Sequence, residues 1–213
     1  MADNLSLVII GFLSGLVVIT VLTTTAFTKL SIVFFVIRNA LGMQQAPGNT
    51  ILHTFALVLA IYISLPVFTE VYDIAITKTA PPKTLNAWVE LLTEGSEPIK
   101  TFLKKNTDEG HKEYFQSVTK EVWKGSSLKA DKNDLIILIP SFMITELTRA
   151  FEIGFLLYLP FVAVDIILTA ILMAMGMMMV PPSLIGVPFK LLLFIMIGGW
   201  TKLVQGLVLT YGG

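Results

Sequence analysis

The chain has 213 residues, 15 basic and 15 acidic side chains, no cysteine and 54% apolar residues, with a mean hydropathy of +0.78. That composition exceeds what soluble domains carry and is that of an integral membrane protein. Zero net charge and basic residues that gather on no helix face leave no footprint for nucleic acid, and the lack of cysteine excludes disulfides, thiolate nucleophiles and iron–sulfur ligation.

The opening MADNLS carries Asp3 and no basic residue, the wrong flank for a cleaved signal, so the first apolar run is expected to remain in the mature protein. From Leu5 to Thr28 no charge occurs, and the stretch predicts a first spanning helix. Gly11 and Gly15 share one face of it, where small residues let a second helix approach. The helix is expected to run on past Lys29 and Arg38 and stop near Gly42. A second run, Ile51 to Phe68, is expected to kink or end at Pro66. His53 has no second ligand at metal-binding spacing and reads as a helix-end histidine near the interface.

Residues 73–134 hold ten of the acidic and ten of the basic residues. They form a water-exposed insert in which Trp88, Leu91 and Leu92, and again Phe115, Val118 and Val122, mark the faces of amphipathic helices. Asp134 is a plausible N-cap for a third apolar element that is bent at Pro140 and broken near Pro160. A methionine-rich stretch then leads to Pro181-Pro182, and a last run, Leu191 to Leu209, carries Lys202 and the pair Gly198-Gly199. Pro188 suits a first helical turn. The reading is an all-α membrane-type fold of four apolar helical elements with kinked or broken hairpins, divided as 1–72, 73–134 and 135–213. Lys29 and Arg38 place the first connection on the cytoplasmic side, and the termini and insert opposite.

Four kinds of charged or soft residue stand out. Glu146, Arg149 and Glu152 are spaced three apart and form either a ladder within the helix or partners for Lys190 and Lys202 on the last element, across helices or across subunits. Asp165 has no basic neighbour within a helical turn, so it needs a partner on another helix or chain, or lines a water-filled or proton path. Glu146 and Asp165 are a conceivable acid–base pair, yet the chain has no nucleophile motif, phosphate-binding glycine loop or HExxH helix, and neither enzymatic activity, cofactor nor metal is expected. Met173, Met175, Met177, Met178 and Met179 are either adaptable core filler or a deformable surface that closes on itself. On residues alone, a small-solute or proton-coupled transporter using Asp165 and Glu146 remains an alternative, although no internal repeat is visible.

The blocks PSFMITELTRAFEIGFLLYLPF, MAMGMMMVPP and VPFKLLLF, with the earlier TKLSIVFFVIRNALGMQQAP, resemble the FliP/YscR/SctR family of flagellar and type III secretion systems. The compact insert looks more like the injectisome branch. The resemblance implies a core subunit of the export gate in the bacterial inner membrane, with a periplasmic insert. It implies a homo-pentamer joined by S-type and T-type subunits and neighboured by U-type and V-type components, conducting unfolded proteins. It also implies that Met175, Met177, Met178 and Met179 form the seal of the channel. On the family pattern residues 141–146 and 188–190 belong to packing between subunits, so Glu146 and Lys190 are expected to make a charge pair between adjacent copies; from their apolar surroundings alone, Arg149, Glu152, Asp165 and Lys202 are expected as buried charges.

Overall fold

A computed structural model describes residues 19–77, 84–125, 130–177 and 179–212. Among them there is no strand, and eight helices follow in order: α1 (Phe27–Ala40), α2 (Asn49–Thr77), α3 (Leu85–Gly95), α4 (Glu97–Asn106), α5 (Glu109–Val122), α6 (Leu135–Ala174), α7 (Ser183–Met196) and α8 (Gly199–Leu209). Two of these, α2 and α6, are long and apolar enough to cross a membrane, and α7 with α8 makes a pair bent by 62°. The first apolar run lies largely outside the described residues, as do Gly11 and Gly15. The all-helical expectation therefore holds, with two candidate spans and one bent pair described where four apolar elements were expected.

The bends fall at other places than the prolines. α2 runs through Pro66 to Thr77 and α6 runs unbroken through Pro140 and Pro160. Each proline deletes one backbone donor, but in apolar surroundings the remaining backbone groups have no partner better than the helix itself. Pro188 likewise lies inside α7 rather than in its first turn. The last run is instead interrupted at Gly198, whose φ of +67° places it in the left-handed region, and Gly198 N–H donates to Ile195 at 3.0 Å to close the end of α7. Near the start of the chain, a bend at Thr25 and Ala26 separates residues 19–24 from α1. There the hydroxyls of Thr23, Thr24 and Thr25 each bond the carbonyl four residues back, a pattern that bends helices.

The chain forms two compact units, with α2 and α6 contributing to both. In the first (residues up to 28 and 60–146), Leu103 of α4 packs on Leu138 and Phe142 of α6 with no surface exposed, flanked by Ile99, Phe102 and Leu135. Phe102 and Phe142 meet edge to face at 5.9 Å. Thr84 and Asp108 cap α3 and α5 through their side-chain oxygens. Asp134 supplies its carbonyl to the first turn of α6, as an N-cap does, but its carboxylate accepts from Asp131 N–H at 2.7 Å instead of capping. Lys112, almost wholly buried, donates to Lys104 O in the last turn of α4 at 3.1 Å and to Glu109 at 2.7 Å. Trp88 is buried as expected, whereas Val122 is 71% exposed.

In the second unit (residues 29–59 and from 147 on), α1 is the central helix. Leu30, Val33 and Phe34 have no exposed surface. Phe34 stacks on Phe55 of α2 at 5.1 Å and meets Trp200 of α8 edge to face at 6.2 Å. Gly154 of α6 lies so close to α1 that a Cβ there would sit 3.1 Å from Val36. Lys29 is fully buried, donating to Thr210 at 2.9 Å with its ammonium 3.7 Å from the ring centroid of Tyr211. It is thus a core residue at the C-terminal end of α8, where a cation suits the helix dipole, and it gives no guidance on which side a loop faces.

Candidate functional site: the methionine hairpin and its lysine clamp

α6 and α7 run antiparallel. Phe161 faces Phe194 with ring centroids 6.2 Å apart, Asp165 meets Lys190, and a Cβ on Gly186 would lie 3.6 Å from Leu168. The methionine stretch is the tip of this hairpin. α6 ends in a Schellman motif: Gly176, at φ +74°, donates to Met173 O at 3.0 Å while Met177 N–H donates to Leu172 O at 2.9 Å. Glycine takes that left-handed conformation without strain. Pro181 and Pro182 then start α7, whose first turn closes on their carbonyls.

The tip displays its methionines outward. Met173, Met175, Met177 and Met179 are 55%, 66%, 38% and 99% exposed, and Met178 lies outside the described residues. They are not filler for a gap within the chain; the isolated chain presents them as an apolar, flexible edge.

The hairpin is fixed to α1 by Lys190, only 5% exposed. Its Nζ donates to Asp165 Oδ2 at 2.5 Å and to the carbonyl of Ala40 at 3.1 Å. The second bond completes the end of α1. There Leu41, Met43 and Gly42 N–H groups serve Ile37, Arg38 and Asn39, leaving Ala40 O as the carbonyl that Lys190 fills. Gly42 (φ +76°) lies where a Cβ would come within 2.6 Å of Val187, so both its conformation and its contact with α7 require glycine. A cavity of about 330 Å³ opens beside the clamp, lined by Asn39, Gln44, Tyr158 and Ser183 as well as the ion pair.

Asp165 therefore finds its partner on another helix of the same chain, which removes the free carboxylate that a proton path would use. The Glu146–Lys190 pairing expected between copies meets two obstacles in the single chain. Lys190 already holds Asp165, and Glu146 is 0% exposed. Of the charges expected to be buried, Arg149 and Asp165 are half-buried, whereas Glu152 and Lys202 are exposed. Lys29 and its partner Thr210 escaped sequence reasoning, because nothing local distinguishes a core lysine from one in a loop. His53 packs edge to face on Phe35 at 4.9 Å. No cluster of metal-ligating side chains occurs among the described residues.

Residues 9–207 match the FliP family. The chain is 49% identical over 210 residues to the probable translocation protein y4yL of Sinorhizobium fredii, covering 97% of this chain and 94% of that one. It is 40% identical to Yop proteins translocation protein R of Yersinia pestis, covering 99% and 98%. It is also 40% identical to the virulence protein YscR of Salmonella typhimurium, covering 97% and 96%. With the family matched along nearly its whole length, the chain belongs to the FliP family.

Proposed function

We propose that this protein is a core subunit of a type III secretion export gate. It sits in the bacterial inner membrane with residues 73–134 on the periplasmic side, and it assembles in several copies with other export subunits around a channel for unfolded proteins. The family membership and full-length relatives named for translocation and virulence support the role. The transporter reading loses its basis with Asp165 paired to Lys190.

The observation that carries the gate is the hairpin tip. A ring of copies would bring outward-facing Met175, Met177 and Met179, with Met178, toward one axis. Thioether side chains at such a tip close a ring by dispersion contacts, exclude water and ions, and mould around a threaded chain. The Glu146–Lys190 contact between copies belongs to the same proposal and requires Glu146 to leave its buried site. Partial recovery of assembly by Glu146→Lys with Lys190→Glu, relative to each change alone, supports it, and no recovery removes it. The role itself is tested by deleting the gene in its host and purifying the tagged protein in mild detergent. Loss of secreted substrates and a large mixed assembly are expected. A small oligomer of this chain alone, with secretion intact in the deletion strain, overturns the reading.

A further inference from the structure

The second unit contains seven charged residues, and their pairing leaves a remainder. Lys190 holds Asp165, Lys29 holds Thr210, and Arg38 donates to Asn49 at 2.6 Å. Arg149 is also engaged. The side chains of Glu152 on α6 and Lys202 on α8 make no hydrogen bond or ion pair with any described residue, and both are exposed.

Their surroundings are unsuited to lone charges. Glu152 is about 25 Å along α6 from its nearer end, between Phe151 and Phe155, which are 59% and 64% exposed. A carboxylate left in lipid at such a position is strongly disfavoured unless it meets a cation or water. Lys202 shares the outer face of α8 with Gln205, Gly206 and Leu209, the side opposite the buried Gly199, Leu203 and Leu207. A Cβ on Gly206 would touch nothing within 4 Å. The outer face of α8 therefore offers a cation, an amide and a bare stretch of backbone where another helix can approach closely.

We infer that Glu152 of one copy pairs with Lys202 of the next, α6 docking across the outer face of α8 at Gly206. The occupant is a second copy of this chain because the surfaces complement each other one to one: among the described residues, the second unit of each copy carries one unpaired acid and one unpaired base, on different helices. A contact between two different faces is head-to-tail, so a single kind of interface repeats around a ring and neutralises every copy. The inference rests on the multi-copy reading above and specifies its interface.

The absence of native cysteine makes the test direct. Two differently tagged copies, one Glu152→Cys and the other Lys202→Cys, are co-expressed, purified as the assembly and treated with a short bis-maleimide. Mixed dimers are expected, and placing both changes in one chain should give a ladder of covalent oligomers. Cross-links between two Glu152→Cys copies, or none in an assembly of normal size, overturn the pairing while leaving the multi-copy reading intact. If the cysteine variants do not assemble, charge reversal decides. Glu152→Lys and Lys202→Glu should each lower the assembled fraction several-fold, and the two together in one chain should restore at least half of it. A double variant no better than either single one overturns the inference.

Discussion

Lys190 of α7 holds the carboxylate of Asp165 on α6 and at the same time fills the last free carbonyl of α1, at Ala40. One buried ammonium thus joins three helices behind the methionine tip. Lys190→Met should lower stability by roughly 2 kcal/mol, the loss of two charge-assisted bonds, and Asp165→Asn by about 1, since its carboxylate is half-exposed. The double variant should be no less stable than Lys190→Met alone, because both remove the same contact. Unfolding of the purified protein in detergent measures this, and additive losses would contradict a shared bond.

Two glycines with the same backbone conformation should respond differently to a methyl group. Gly176→Ala meets only the left-handed strain, about 1 kcal/mol, because nothing lies within 4 Å of the new Cβ. Gly42→Ala adds a 2.6 Å collision with Val187, so roughly 2–3 kcal/mol is expected. Adding Val187→Ala should recover part of the Gly42→Ala loss. Equal effects at both glycines, measured by thermal unfolding, would show that the approach of α1 to α7 is looser than described.

In the insert, Lys112 closes α4 by bonding Lys104 O, and Lys112→Met should speed amide exchange in α4 by about tenfold, equivalent to ~1.4 kcal/mol. Its partner Glu109, and Glu97 in the first turn of α4, are exposed, and hydrogen bonds from Lys112 and Lys100 hold their carboxyls below the ordinary value of 4.5. A depressed folded-state pKa gives stability that is fully present above the ordinary value and is lost as pH falls through the folded value. Exchange protection in α4 and α5 should therefore be flat from pH 7 to about 5, after correction for intrinsic rates, and decline below pH 4.5. A loss of protection already complete above pH 5 would show that these two carboxylates do not control it.

The existence of the helices and the turn at the methionines could be read from the chain, because apolar length and the Met-Gly-Met run followed by Pro181-Pro182 are local signals. Helix breaks were misplaced for a physical reason. Proline is the breaker that a sequence displays, but Pro66, Pro140 and Pro160 each remove one bond from a helix that has no better alternative. The actual end at Gly198 needs only a left-handed glycine that lets an N–H fold back onto a carbonyl. Partner choice was less legible still. Lys190 is 25 residues from Asp165 but 150 from Ala40, and Lys29 reaches Thr210 across 181, separations that no periodicity encodes.

If the hairpin tip seals a channel, its loss must appear as ion leak through the assembled complex. Changing Met175, Met177, Met178 and Met179 together to Ala removes most of the apolar volume from the tip while leaving Gly176 and the clamp at Lys190 untouched. Conductance is measured after the mixed assembly is reconstituted in planar bilayers, with its size checked against the unchanged complex. The unchanged assembly should leave the bilayer silent, and the alanine variant should pass a steady ion current. A variant assembly of full size that remains as impermeable as the original would contradict the sealing role of these methionines.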